Sequence, residues 1–268
     1  MMLINGVPAD RISADDRGLA FGDGVFRTLQ CRDGTPCLWP WQFACLTRDA
    51  ARLGLPVPDE SLLLAELAAA CAGLPSAVAK ITLTRGSGPR GYAIPAQASA
   101  TRIVAAHGWT GYPERHARDG VALTWCALRL GLQPRLAGIK HLNRLESVMA
   151  KSELPEAFAE GVLLDSDGTV VEGTLSNVFV LHDGRWQTPL LDRCGVAGAL
   201  RDWVMSQVPV EQVRLLPQDL LRADLLFVCN SLAGIWPVAS LDERRWRDFA
   251  PVRPLQAALA QEYAARPA

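Results

Sequence analysis

A chain of 268 residues with 49% hydrophobic and 21% charged side chains can bury one large core or two moderate ones, which excludes disorder as its state. Its 27 Lys and Arg stand against 28 Asp and Glu, a formal net charge of -1, so no whole-chain field draws it to nucleic acid or to a membrane surface, and any bound anion must be held locally. Seven Cys without a CxxC pair argue against disulfides and structural zinc. Together with an opening MMLINGVPAD that lacks basic and apolar targeting regions, they predict a cytoplasmic protein with reduced thiols.

The first element is a hairpin, because Asn5-Gly6 between Leu3-Ile4 and Val7 tolerates the positive φ of a type I′ turn. Residues 42–54 place Phe43, Leu46, Ala50 and Leu53 on one helical face and stop at Gly54; residues 61–73 read as a second helix. VAKITLTR (78–85) alternates as a strand, and RIVAAH (102–107) follows as another. Two Gly, a Pro and several charges without apolar period mark 108–118 as a linker, which divides the chain into a domain over 1–107 and a second over 119–268. The second holds strands at VALTWCALRL, GVLLD, TVVEG and NVFVL, hairpin turns at DSDG and HDG, and helices over NRLESVMAKSEL, residues 196–208 and residues 254–265. The fold class is mixed α/β.

Several motifs bear on chemistry. GSGPRG (86–91) is a literal GxGxxG after a strand, yet no helix opens at its third Gly and Pro95 follows, so it reads as a substrate loop or a solvent loop rather than a dinucleotide site. The four His show no metal spacing, and no GxSxG supports a serine nucleophile. Lys140 lies in the nearly uncharged LAGIKHL (136–142). It is either a snorkelling lysine at a helix entrance or an amine whose apolar surroundings suit Schiff-base formation, and Asn143 with Glu146 suggests a capping box just after it. Glu172 ends a strand with two valines, as an edge charge or as a buried anion needing a partner. GVAG (195–198), opening a helix, and NSLAG (230–234), following LLFVC, read as backbone anion cradles. An amine, an acid and two N–H cradles together suit pyridoxal 5′-phosphate, whose aldehyde, ring nitrogen and phosphate need those groups.

On FGDGVFRT (21–28), TRGSGPRGY (84–92), GIKHLNRLE (138–146), EGTLSNVF (172–179), GVAGALR (195–201) and CNSLAGIWPV (229–238), the chain resembles the fold-type IV pyridoxal-phosphate enzymes. Within them it is similar to the lyase branch that makes 4-aminobenzoate for folate. The resemblance implies a homodimer, each chain having a small N-terminal α/β domain and a larger C-terminal one, with the cofactor in the crevice between. It implies that Lys140 carries the cofactor, that Glu172 pairs with its pyridine nitrogen, and that the Val196 and Ala197 backbone with Ser231 holds its phosphate. Thr28, Arg85, Arg90, Tyr92, Asn143, Leu232 and Ala233 would border the substrate. Thr28 or Lys140 would deliver a proton to the departing enol. Arg27, Arg85 and Arg90 are candidates for its two carboxylates. The helix at 42–54 departs from the family by placing Cys45 where an Arg grips the phosphate; Arg48 is the expected substitute, and Cys45→Arg is expected to tighten cofactor binding. The implied reaction converts 4-amino-4-deoxychorismate to 4-aminobenzoate and pyruvate, Lys140 taking the C4 proton. A branched-chain or D-amino acid aminotransferase, and a non-catalytic or weakly cofactor-binding relative, are the alternatives.

Overall fold

The computed structural model describes residues 1–97 and 99–264. The chain divides into two compact units, one of Met1–Thr110 with Ile139–Asn143, the other of Gly111–Gly138 with Arg144–Ala264.

The first unit contains strands β1 (Met2–Ile4), β2 (Val7–Pro8), β3 (Gly24–Arg32), β4 (Thr35–Pro36), β5 (Ser76–Thr84) and β6 (Thr101–Gly108), with helices α1 (Arg17–Phe21), α2 (Trp39–Arg52) and α3 (Glu60–Ala70). The strands form one antiparallel sheet in the order β2-β1-β6-β5-β3-β4. The Asn5-Gly6 turn has positive φ at both residues, 51° and 84°, as the hairpin requires. Register pairs Val25 with Leu83, Arg27 with Ile81, Leu29 with Ala79 and Cys31 with Ala77, and all eight side chains are buried on one face. Helix α2 packs on β3. It buries Gln42, Cys45, Leu46, Asp49 and Ala50, the i, i+3, i+4, i+7, i+8 stripe of a core-facing helix. Helix α3 is tied to β6 by Arg102, whose Nε and Nη2 each reach a Glu66 carboxylate oxygen at 2.6 Å.

A charged knot closes this unit. Asp23 accepts from Arg85 Nε at 2.8 Å and Nη2 at 3.0 Å, and from Arg17 Nε at 2.9 Å. Arg17 also donates to the carbonyls of Gly91 and Tyr92, which pins the glycine-rich loop, while Arg85 caps the end of α2 at Leu53 O and Gly54 O. Arg85 is thus 4% exposed with its donors spent inside the unit, which corrects the expectation that it presents a guanidinium to the substrate.

The second unit contains α4 (Glu114–Asp119), β7 (Val121–Leu130), α5 (Leu145–Ser152), β8 (Glu160–Asp165), β9 (Val170–Gly173), β10 (Asn177–His182), β11 (Arg185–Pro189), α6 (Ala199–Gln207), β12 (Val210–Val213), α7 (Pro217–Arg222), β13 (Leu225–Asn230), β14 (Gly234–Leu241), β15 (Arg244–Arg245) and α8 (Arg253–Ala264). Its sheet runs β12-β11-β10-β13-β14-β7-β8-β9, with β15 on β14; the β11–β12, β14–β7 and β7–β8 pairs are parallel. Phe179 and Phe227 stack at 4.7 Å in the core, with Trp186 edge-on to Phe227 at 5.1 Å. Glu160 is buried, with no cation paired to it among the described residues. It accepts from the N–H groups of Gly161, Thr174 and Leu175 and from the hydroxyls of Thr174 and Ser176, so one carboxylate shapes the β9–β10 turn.

Two expectations are revised here. The 108–118 segment contains part of helix α4, whose Arg118 carbonyl accepts from Arg253, so it is structured rather than a bare linker. Residues 139–143, expected in the second domain, join the first unit because their backbone pairs with β3: Phe26 N–H donates to Lys140 O and Leu142 N–H to Gly24 O, both at 3.0 Å. Among the described residues no helix is long and apolar enough to cross a membrane, and no three His, Cys, Asp or Glu gather as metal ligands.

Burial pushes the Asp23 pKa up, but the hydrogen bonds and charges of Arg85 and Arg17 outweigh it and hold the carboxyl below its ordinary value. Its stabilisation is therefore complete above the unfolded-state pKa of 3.8 and is lost as pH falls through the lower folded value. Asp23→Asn should cost on the order of 3 kcal/mol at neutral pH by leaving two buried guanidinium groups without their anion. In urea unfolding measured at successive pH values, the gap between wild type and variant should close in acid.

Candidate active site

Lys140 is half-buried and held at both backbone groups. Its N–H donates to Asp49 Oδ2 at 2.9 Å and its carbonyl accepts from Phe26, while His141 bridges Val25. Its Nζ lies 4.7 Å from the Phe26 ring centroid, an aromatic face that suits a cation and shields an amine. Phe26 and Thr28 share the half-buried face of β3, opposite Arg27. Asn143 packs against Gly22, where an added Cβ would come within 2.1 Å of its Oδ1. The capping box expected at Asn143 and Glu146 does not form. Helix α5 is capped by Arg144 without a side-chain bond, because Glu146 Oε1 accepts the Gly131 N–H at 2.9 Å instead.

Arg27 and Asp49 form a buried ion pair, with Arg27 Nη2 also donating to Cys45 O at 3.2 Å. Arg27 is 2% exposed and points under α2, which corrects its candidacy as a contact for substrate carboxylates. Arg48, the expected stand-in for a phosphate arginine, donates to Asp49 Oδ1 at 3.3 Å and to Cys45 Sγ at 3.4 Å. In the loop after β5, Arg90 is exposed and Tyr92 is 85% exposed with its ring 5.3 Å from that of Phe21.

In the second unit Glu172 is buried on β9, resolving the two readings of its position in favour of the buried anion, and its Oε2 accepts the Val196 N–H at 2.8 Å. The stretch 195–198 precedes α6. It lies against Gly138, which donates to Gly195 O at 2.9 Å and accepts from the Ala197 N–H at 3.0 Å. Asn177, which the sequence reading passed over, clamps the same stretch: its Nδ2 donates to Val196 O at 2.8 Å and its Oδ1 accepts the Gly198 N–H at 3.2 Å. Glycine is required at 195, where φ is +82° and a Cβ would meet Val171 at 2.6 Å. The N–H groups of Val196 and Ala197 thus have internal acceptors, which a phosphate would have to displace. The 230–234 stretch likewise has two of its N–H groups engaged. It is the β13–β14 hairpin turn, and Asn230 Oδ1 accepts the N–H groups of Leu232 at 2.9 Å and Ala233 at 2.7 Å; the carbonyl of Ser231 accepts from the Tyr263 hydroxyl at 3.0 Å.

The donor set suits pyridoxal phosphate in two of its three requirements: a primary amine on a fixed backbone against an aromatic face, and a buried carboxylate for the ring nitrogen. Backbone donors at 196 and 197 would serve its phosphate by exchanging their present partners. Asp49 and Asn177 were the residues missed. An acid inside the apolar stripe of α2 was the signal for the first, and an Asn directly before the apolar run VFVL was a weak signal for the second.

The chain is similar to several known proteins along most of its length. It is 35% identical over 253 residues to an aminodeoxychorismate lyase of Vibrio harveyi, covering 90% of this chain and 91% of that one. It is 30% identical to a putative branched-chain-amino-acid aminotransferase of Methanocaldococcus jannaschii, covering 87% and 84%. The crystal structure of 4-amino-4-deoxychorismate lyase from Pseudomonas aeruginosa superimposes with a TM-score of 0.92 at 45% identity, covering 97% and 98%. Residues 24–241 match the model of the Amino-transferase class IV family, and the chain belongs to that family.

Proposed function

We propose that this protein is a pyridoxal-phosphate-dependent lyase that converts 4-amino-4-deoxychorismate to 4-aminobenzoate and pyruvate. The observation that carries the reading is Lys140, an amine on a backbone fixed at its N–H and carbonyl and set against Phe26, in a chain 45% identical to a lyase of that substrate. When bound, the cofactor supplies an electron sink for a carbanion next to the substrate nitrogen. Lys140 would hold the cofactor, and its freed amine would take the proton from C4 of the substrate. The carbon–oxygen bond to the enolpyruvyl group then breaks, the ring becomes aromatic, and a proton from Thr28 or Lys140 completes pyruvate. Glu172 would keep the ring nitrogen protonated. Ser231 and the backbone at Val196 and Ala197 would hold the phosphate, which at Val196 requires its bond to Glu172 to break; the half-buried Arg48 of α2 would assist. Arg90, Tyr92, Asn143, Leu232 and Ala233 would border the substrate, with Arg90 offered to its carboxylates. The family likeness further supports a homodimer working in the cytoplasm.

A pyruvate-coupled assay with aminodeoxychorismate tests the reading, and Lys140→Ala should lower kcat by about 100-fold or more. Transamination between an amino acid and a 2-oxo acid without pyruvate release would instead favour the aminotransferases, and the absence of both would favour a non-catalytic relative. Glu172→Gln keeps an acceptor for the Val196 N–H while removing the charge, so it should fold normally and lose about 10- to 100-fold in cofactor affinity or rate, read by absorbance titration. Cys45 is 2% exposed and its carbonyl already receives Arg27. Cys45→Arg therefore places a second cation beside the first and should lower the Tm of the cofactor-free protein by several degrees.

A further inference from the structure

The β3 face that meets α2 is apolar at Val25, Leu29 and Cys31, yet Arg27 stands among them. Its Nε is buried without an acceptor, while its Nη2 serves Cys45 O and Asp49 Oδ2. Asp49, 0% exposed, sits in the apolar stripe of α2. Replacing a buried ion pair by apolar residues of similar volume is often neutral or stabilising, so such a pair is weak evidence of a device for stability alone. The Asp49 oxygen that meets Arg27 is the same one that accepts the Lys140 N–H.

We propose that Asp49 is a positioning residue for Lys140: its carboxylate, neutralised by the buried Arg27 guanidinium, anchors the Lys140 backbone so that the amine leaves it toward Phe26. The proposal rests on the reading of Lys140 as the amine that takes the cofactor. Asp49 fixes the peptide entering Lys140 and Phe26 fixes the one leaving it, so the two bonds leave the lysine only its side-chain torsions. Asp49 acts on the Lys140 backbone, and its contribution is to where Nζ starts.

Two double variants separate this role from a merely structural one. Arg27→Met with Asp49→Leu removes the ion pair and the acceptor; Arg27→Met with Asp49→Asn removes the ion pair but leaves an amide oxygen for the Lys140 N–H. Should the Leu variant not fold, Asp49→Ala in the Arg27→Met background takes its place. Three quantities are read on each: the Tm, amide hydrogen exchange at Lys140 without cofactor, and the rate of borohydride trapping of pyridoxal phosphate at Lys140, by peptide mass, between about pH 6 and 10. With the Leu variant, exchange at Lys140 should accelerate and trapping should fall, each by about tenfold or more, with a displaced pH profile, while the Asn variant stays within about threefold of wild type. Wild-type exchange and trapping in the Leu variant would overturn the proposal, as would equal losses in both variants. Failure of the wild type to trap at Lys140 would overturn the lysine reading instead, and amide exchange would still decide whether Asp49 holds that peptide.

Discussion

The backbone pairing of residues 139–143 with β3 is the constraint on which the first unit's chemistry depends. Phe26 and Leu142 donate across it, and Val25 and His141 bridge it. A lysine in a surface loop would sample many directions. Here the chain is laid along a strand that is itself the partner of β5 over nine residues, so the lysine inherits the rigidity of the sheet. The glycine at 24 is part of the same arrangement: a Cβ there would strike Leu83 O at 2.5 Å and the Leu142 side chain at 2.7 Å. Close approach of the lysine segment therefore depends on that residue having no side chain.

Charge is used inside this protein chiefly to hold backbone in place. Asp23 gathers two arginines that between them cap α2 and pin the loop at 91–92; Glu160 gathers three N–H groups and two hydroxyls; Asp49 gathers an arginine and a peptide. Each is a carboxylate, buried at Asp49 and Glu160 and half-buried at Asp23, whose partners lie on separate elements. The overall balance of charges hides this, because it counts these groups as if they faced water. In the second unit Asn177 does comparable work without charge, its amide serving Val196 and Gly198 together.

Where side chains repeated with a clear period, the elements were legible in the sequence. The stripe at 46 and 50 located α2, the alternation at Ile81 and Leu83 located β5, and Asn5-Gly6 located the opening hairpin. Strand β3 is not legible as a strand, because its buried face reads Val25, Arg27, Leu29, Cys31 and an arginine in the second place breaks the alternation. Lys140 and Glu172 stood out as ionisable groups in apolar runs. The reach of Arg85 and the partners of the 196–197 and 232–233 amides were not legible, since they depend on contacts between residues distant in the chain, such as Asp23 with Arg85 and Glu172 with Val196. Small residues near a helix start signal donors; they do not reveal whether those donors are already engaged.

The threading of the chain has a consequence for its synthesis. Residues 139–143 belong to the first unit, but Gly138 and Arg144 on either side belong to the second. A nascent chain that has emerged as far as residue 110 contains every strand of the six-stranded sheet and still lacks the segment that pairs with Gly24 and Phe26. Until some thirty further residues follow, Asp49 has no Lys140 peptide to hold and the β3 backbone there has no partner. The amine-bearing segment is thus synthesised only after every strand of the sheet that it joins.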